Sequence, residues 1–305
     1  MTKLVEIIAT DQLILPGLLF ENDQLKTKKI AIWLHGMGDN GVFYKPKLIN
    51  QLADQLNSNQ ISFLAFNNRG AHNQKYLKFK NDQIKHFRGG WTNELIMDCL
   101  KDIDGAINFA QQQGYQTIYL IGHSTGANKA VLYHYKKQTK DPIRAYILLG
   151  ASDDVGCNYL NLQDKFFTDL KLAKQAIDLD KPFKKMPKYS GCYPMSAQSC
   201  FDMLNPDGNY NIFPYYEANF KRLGRKRIFQ ELNSLDRNFL MIFGQLDEFS
   251  IPFNGPENIF QLITKNLAST TKKFLNYEII NQADHSFNGH EIELSKRITT
   301  WIKKN

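Results

Sequence analysis

The chain has 305 residues, of which 43% are apolar and 22% charged, with 19 glycines and 10 prolines. This composition is typical of a folded globular protein and excludes the disordered and fibrous classes. A net charge of +8 raises the question of an anionic partner. The basic residues are scattered, however, and the one cluster, Lys221–Arg227, is interpreted as a solvent-exposed helix face rather than a nucleic-acid site.

The N-terminal half alternates strand-like and helix-like segments. The stretch up to residue 23 predicts two strands and no leader, because Glu6 and Asp11 interrupt its apolar runs. "KKIAIWLHG" predicts a strand, and "PKLINQLADQL" a helix. "ISFLAFNNRG" is the next predicted strand, and "WTNELIMDCLKDIDGAINFAQQQG" the next helix, which ends at Gly114. Strands alternating with helices predict crossover connections and a mostly parallel sheet.

The second half continues this alternation around one interruption. "QTIYLIG" predicts a buried strand that ends just before Ser124, and a helix follows to about residue 137. After the strand "RAYILLGAS", residues 154–237 contain a polar helical stretch (Leu160 to Leu179) and a region rich in Pro, Gly and aromatic residues. Because a structureless loop of that length is uncommon in a compact domain, we predict an inserted cap. Two further strand–helix pairs complete the chain, from "NFLMIFGQLDE" to "GHEIELSKRITTWIKK".

The four cysteines, Cys99, Cys157, Cys192 and Cys200, lack the spacing of a zinc site. We expect free thiols and a cytoplasmic protein, because disulfides are rare in reducing compartments. A disulfide between Cys192 and Cys200 stays open as the alternative.

The pentapeptide Gly122-His123-Ser124-Thr125-Gly126 has the pattern G-x-S-x-G. In this pattern a tight turn joins a strand to a helix and presents the serine hydroxyl above the sheet. A strand is predicted before Ser124 and a helix after it, which is the context that the pattern requires. Ser124 is therefore the candidate nucleophile rather than a small residue in a turn.

The order of elements, together with "LHGMGD", "GHSTG", "GQLDE" and "ADHSF", resembles the α/β-hydrolase superfamily, in its serine-esterase and lipase-like branch with an inserted cap. The resemblance covers about residue 28 to the C-terminus, apart from the cap. It implies an α/β-hydrolase core from residues 1–153 and 238–305, with a mostly parallel central sheet flanked by helices, and a cap from residues 154–237.

The resemblance also implies the partners of Ser124. His285 lies in the loop after the last strand, where the family carries its general base, and is favoured over His290. Asp247 stands at the family's G-x-x-D spacing and gives the order serine, acid, histidine. Two alternatives for the acid stay open at Asp153 and Asp154, which follow the strand after the elbow helix. Glu248 is interpreted as a structural or rim carboxylate.

The oxyanion hole would combine the backbone amides of Thr125 and, by resemblance to the family's H-G-x loop, Met37. His35 and Gly36 then shape that loop, and a metal role for His35 lacks a second ligand at suitable spacing. His123 is expected to pack structurally. Arg69 follows a strand at the same rim, where it forms either a structural salt bridge or a contact with an anionic substrate.

Together these residues predict a cofactor-free, metal-free serine hydrolase that cleaves a carboxylic ester of a small molecule through an acyl-enzyme. A thioesterase or amide hydrolase with the same triad, and a catalytically silent binding protein of the same fold, are the alternatives. We expect the cap to roof the pocket. The candidate pocket residues are its large side chains Phe166, Phe167, Tyr193, Phe201, Met203, Phe213, Tyr215 and Tyr216. We expect some of them to line the pocket for an apolar acyl group and more than half to hold the cap together.

Overall fold

The alternating apolar segments of the sequence form strands and helices that a computed structural model describes for residues 1–22, 27–39, 41, 43–82 and 84–305. In chain order, the strands are β1 (Thr2–Ile8), β2 (Ile14–Phe20), β3 (Lys29–Leu34), β4 (Ser62–Phe66), β5 (Lys75–Lys78), β6 (His86–Gly89), β7 (Thr117–His123), β8 (Ile143–Leu149), β9 (Phe239–Gly244) and β10 (Leu275–Ile280). The α-helices are α1 (Pro46–Asn57), α2 (Cys99–Gln112), α3 (Thr125–Lys137), α4 (Asp154–Leu162), α5 (Lys165–Asp178), α6 (Ala197–Leu204), α7 (Tyr215–Asn219), α8 (Gly255–Asn266), α9 (Ser269–Lys272) and α10 (Glu291–Lys304).

Among the described residues, eight strands form the central sheet in the order β1-β2-β4-β3-β7-β8-β9-β10. The first two strands are antiparallel to their neighbours, and β4, β3, β7, β8, β9 and β10 run parallel. The predicted mostly parallel sheet is therefore confirmed. Since parallel strands end at the same edge, residues that follow β3, β7, β8 and β9 meet there.

Both faces of the sheet are buried, which explains why its central strands read as continuous apolar runs. Successive side chains of a strand point to opposite faces. On β3, Ile32 joins the core cluster that contains α2, α3 and α8 residues, whereas Trp33 joins the cluster that contains α1 and α10 residues. Helices therefore cover the sheet on both sides.

Two details before β7 differ from the sequence prediction. The predicted helix from Trp91 begins at Cys99, because Leu95 is extended and residues Ile96–Asp98 form a short 3-10 turn. The hairpin of β5 and β6 was missed. Its strands have four residues each and are too short to show a clear two-residue alternation.

The segment from residue 154 to 237, which lies between β8 and β9, is built from α4 to α7. The polar helical stretch predicted over Leu160 to Leu179 is helical but is divided between two helices. Helix α4 ends at Leu162 and α5 begins at Lys165, because Gln163 between them has a positive φ of 48°, a left-handed conformation that does not continue a helix.

The free thiols expected at Cys192 and Cys200 are wrong, since the two residues form a disulfide. Cys200 lies in α6 and Cys192 in the turn before it, with their Cα atoms 5.9 Å apart, which is within the range that a disulfide bridges. Cys99 and Cys157 are free.

The basic cluster Lys221–Arg227 is not a helix face, because α7 ends before it at Asn219. Two of its charges are paired inside the segment. Arg222 contacts Glu217 at 3.0 Å, and Lys226 contacts Glu231 at 2.7 Å. Within the described ranges, no helix combines the length and the apolar character that a membrane span requires.

Candidate active site

Ser124 lies in a sharp turn between β7 and α3. Its φ of 55° and ψ of −130° are strained for a residue other than glycine. Its backbone N–H donates to the carbonyl of Leu149 at the end of β8, at 2.8 Å. The strain and this bond place the serine at the carboxyl edge of the sheet.

The two glycines of the pentapeptide make this turn possible. A Cβ on Gly122 would lie 2.3 Å from the carbonyl oxygen of Gly126, and a Cβ on Gly126 would lie 2.2 Å from the carbonyl oxygen of Leu34. Side chains at these positions would push α3 away from β7 and β3. Both glycines of the pattern G-x-S-x-G are therefore needed because α3 packs tightly on β7 and β3.

His285 and Asp247 are brought together by the loops after β10 and β9. Nδ1 of His285 lies 3.0 Å from both carboxylate oxygens of Asp247, and both side chains are buried. An ionised carboxylate can only accept, so Nδ1 carries the proton and Nε2 keeps its lone pair. Nε2 is buried and has no hydrogen-bond partner in the described part of the chain.

Two further contacts hold the histidine loop beside Ser124. Glu248, expected to be a structural or rim carboxylate, accepts from the backbone N–H of His285 at 3.1 Å. Nε2 of His123 lies 2.8 Å from the carbonyl oxygen of His285, and burial holds the pKa of His123 well below its usual value. His123 is therefore a neutral structural donor that ties the elbow to the loop.

Gly150 was missed by the sequence analysis. It follows β8 with a φ of +50°, and a Cβ there would lie 2.9 Å from Nδ1 of His285 and 3.2 Å from Oδ2 of Asp247. The absence of a side chain leaves space for the imidazole. The signal for it was a glycine inside the predicted strand "RAYILLGAS", directly after the apolar run that ends at Leu149.

The other candidates for the triad make different contacts, and neither Asp153 nor Asp154 is hydrogen-bonded to His285 in the described ranges. Asp153 caps α4, where its carboxylate accepts from the backbone N–H groups of Gly156 at 2.6 Å and Tyr216 at 2.7 Å. Asp154 accepts from the hydroxyl of Ser152 at 2.6 Å. His290 precedes α10, and its Nδ1 lies 3.7 Å from Glu293.

The loop after β3 lies against the elbow. A Cβ on Gly36 would lie 3.0 Å from Cβ of Ser124, so only glycine permits this approach. Both ring nitrogens of His35 are engaged by backbone: Nε2 accepts from Asn68 N–H at 3.1 Å, and Nδ1 donates to the carbonyl of Gly36 at 2.8 Å. Burial lowers the pKa of His35 well below its usual value, so a neutral His35 braces the loop.

Met37, in that loop, and Thr125 both line a cavity of about 360 Å³ that also contains Ser124. Thr125 is the first residue of α3, where backbone N–H groups lack acceptors inside the helix and the helix dipole is positive. In the described ranges, no group of three or more His, Cys, Asp or Glu side chains is arranged to hold a metal ion.

Arg69 is a structural residue. Its Nη2 lies 2.7 Å from Asp102, and its Nη1 and Nη2 lie 3.0 and 3.1 Å from the carboxylate of Asp11. The guanidinium is buried, and its pKa is raised by the neighbouring carboxylate of Asp102 despite the opposing effect of burial. Arg69 ties the loop after β4 to α2 and faces away from the cavity beside Ser124.

Residues 75–303 match a family described as "Protein of unknown function (DUF1749)". The chain belongs to this DUF1749 family. No protein with a curated description matches it.

Solved structures show that this DUF1749 protein has the fold of α/β-hydrolases. Est1E from Butyrivibrio proteoclasticus with ferulic acid bound is 14% identical, with 98% of each chain covered and a TM-score of 0.62. The esterase EaEST from Exiguobacterium antarcticum is 14% identical over 98% of this chain and 99% of that one, with a TM-score of 0.57. The α/β serine hydrolase XC6422 from Xanthomonas campestris is 11% identical, covers 99% and 94%, and has a TM-score of 0.53. The predicted α/β-hydrolase fold is confirmed.

Proposed function

We propose that the protein is a serine hydrolase that cleaves carboxylic esters of small molecules through an acyl-enzyme on Ser124. The observation that carries this proposal is the buried pair of His285 and Asp247, whose geometry leaves Nε2 of His285 as a base. The histidine loop is hydrogen-bonded to His123, which directly precedes the strained Ser124. The esterases and serine hydrolases among similar folds support it.

In the proposed reaction, Oγ of Ser124 attacks the ester carbonyl while its proton passes to Nε2 of His285. The carbonyl oxygen becomes an oxyanion and accepts from the backbone amides of Thr125 and Met37. The C–O bond then breaks, and the alcohol leaves with the proton from His285. Water, deprotonated by His285, attacks the acyl-serine, and the acid is released as Ser124 regains a proton.

Asp247 acts through the histidine. Its carboxylate holds the proton on Nδ1 of His285 and stabilises the imidazolium that forms during both steps. None of these steps calls for a cofactor. Thioesters and activated amides are variants of the same chemistry.

We further propose that residues 154–237 are a cap on a core of residues 1–153 and 238–305. Support comes from the cavity beside Ser124, because more than half of its lining residues belong to this segment: Asp154, Cys157, Asn158, Asn161, Gly191, Cys192, Met195 and Met203. Of the eight large side chains expected as candidate pocket residues, Met203 alone lines this cavity. Most of the others pack within the segment, as Phe166 does against Tyr159.

The test is turnover of 4-nitrophenyl butanoate by the wild type and by Ser124→Ala. We expect measurable hydrolysis that falls by up to about 10⁶-fold in kcat in the variant. Ser58→Ala, at an exposed position directly after α1, is the matched control and should retain full activity. A catalytically silent binding protein would show no turnover above background in any form.

A further inference from the structure

The cavity beside Ser124 has a polar side and an apolar side. The polar side comes largely from one face of α4, because Asp154, Asn158 and Asn161 stand at positions i, i+4 and i+7. Ser152 and Thr125 extend this polar side. The apolar side is formed by sulfur and aromatic side chains: Met37, Trp91, Cys192, Met195, Met203 and Phe249.

The hydroxyl proton of Ser152 is already bound. Ser152 Oγ donates to Oδ1 of Asp154 at 2.6 Å. Nδ2 of Asn128 adds a contact to Oδ2 at 3.2 Å. Because a hydroxyl has one proton and two lone pairs, Ser152 faces a ligand as an acceptor.

The α4 amides are mixed donors and acceptors. Nδ2 of Asn158 donates one proton to the backbone carbonyl of Asp154 at 2.6 Å, which leaves its side-chain oxygen as an acceptor and its second N–H as a donor. Asp154 itself, when ionised, can only accept. The Asp154 carboxylate is therefore the group on the polar side of the cavity that requires a donor from a ligand.

The charge of Asp154 is not balanced by an ion pair. No Lys, Arg or His in the described ranges lies within salt-bridge distance of it, and the nearby buried Lys129 is paired with Glu94 at 2.5 Å. Burial raises the pKa of Asp154 to about 6, against the lowering effect of its bonds to Ser152 and Thr125. The carboxylate is therefore mostly ionised at neutral pH.

We propose that the part of the substrate held in this cavity bears a hydroxyl or an ammonium group, which donates to Asp154, and that Asp154 is the residue that determines this specificity. The proposal rests on the proposed esterase function. An apolar substrate group at this position would strip water from the Asp154 carboxylate without replacing its hydrogen bonds, which is unfavourable.

The test compares 4-nitrophenyl esters of three acids of nearly equal size: butanoic, 3-hydroxypropanoic and 3-aminopropanoic acid. They present a methyl, a hydroxyl and an ammonium group at the same position. A parallel pair, propyl acetate and 2-hydroxyethyl acetate, presents the same difference on the alcohol side. We expect kcat/KM to be about 10- to 150-fold higher for donor-bearing members of one series, the range that a hydrogen bond to a charged group provides.

In Asp154→Asn the ratio of kcat/KM for the ammonium ester to that for the butanoyl ester should fall to about one, and the ratio for the hydroxyl ester to the butanoyl ester should shrink. Asp153→Asn, an adjacent buried carboxylate that does not line the cavity, is the matched control and should keep the wild-type preference. The ester with the larger advantage identifies the donor, and the series that shows it identifies the side of the substrate that is bound.

Equal kcat/KM within both series for the wild type, or an unchanged preference in Asp154→Asn, would overturn this inference while leaving the esterase function intact. If no ester is hydrolysed, the proposed function fails. Calorimetric titration with 3-hydroxypropanamide, 3-aminopropanamide and butanamide then tests whether the cavity binds donor-bearing ligands more tightly. Tighter binding of either donor-bearing amide supports the inference, and equal binding of all three contradicts it.

Discussion

Gly150 and His285 fit together because the glycine has no side chain: a Cβ at Gly150 would lie 2.9 Å from Nδ1 of the imidazole. The same Cβ would lie 3.2 Å from Oδ2 of Asp247. The end of β8 therefore sets the space in which the histidine and its carboxylate meet.

Gly150→Ala should lower kcat by about 100-fold or more, since a displacement of about 1 Å of a reacting group has an effect of this size. The measurement is steady-state hydrolysis of 4-nitrophenyl butanoate. Gly114→Ala is the control, because Gly114 also has a positive φ, of +90°, but a Cβ there has no neighbour within 4 Å among the described residues. Gly114→Ala should introduce the same kind of backbone strain and retain the wild-type kcat. Equal losses of kcat in both variants would mean that backbone strain alone, and not the contact with His285, explains the effect of Gly150→Ala.

Asp247→Asn should lower kcat by about 10⁴-fold while the protein stays folded, because the amide favours the wrong tautomer of His285. Circular dichroism and turnover of the same ester check the two parts of this expectation. If Asp154→Asn has this effect and Asp247→Asn does not, the acid is misassigned.

Met203 is a large apolar residue of the segment 154–237 that lies both in the core and at the cavity. Met203→Ala should enlarge the cavity and raise the ratio of kcat/KM for a hexanoyl over an acetyl ester by about 10-fold or more. It should also lower the free energy of unfolding by about 2–5 kcal/mol. Phe167→Ala, at a half-exposed side chain, should change the ratio little. The same ratio in the wild type and Met203→Ala would remove Met203 from the determinants of acyl size.

Asp153 should make stability depend on pH. Burial raises its pKa to about 7, whereas an unfolded aspartate titrates near 4. Between these values the folded chain binds more protons than the unfolded chain. The contribution of Asp153 to the free energy of unfolding therefore falls as pH rises through this window. Relative to wild type, Asp153→Asn should therefore gain stability from pH 4 to pH 7, by up to about 4 kcal/mol.

Urea denaturation at several pH values measures this gain. Asp178→Asn, at an exposed site on α5, is the control and should show a nearly constant difference from wild type. A constant difference for Asp153→Asn as well would contradict the raised pKa.

The sequence was sufficient to predict the sheet and the position of three residues at its edge. Ser124, Asp247 and His285 each follow a recognisable buried strand at a defined spacing. The position of the Asp154 carboxylate at the cavity was not predictable. It depends on hydrogen bonds that Ser152, Asn128 and Asn158 direct toward Asp154 or its backbone, and the direction in which a hydroxyl or amide donates is not encoded in a local pattern.

The disulfide illustrates the same limit. Cys192 and Cys200 showed no metal spacing, and the rarity of cytoplasmic disulfides favoured free thiols. The turn that brings their Cα atoms to 5.9 Å lies in a segment without periodic apolar positions, so its geometry depends on packing against α5 and α6 rather than on local propensity.

The central claim, that Ser124 is a nucleophile activated by His285, is tested most directly by a fluorophosphonate that labels activated serines, followed by peptide mass spectrometry. We expect stoichiometric labelling of the wild type on the peptide that contains Ser124, no labelling of Ser124→Ala, and labelling slowed by orders of magnitude in His285→Ala. Label that persists in Ser124→Ala, or that maps to another serine such as Ser196, would contradict the account.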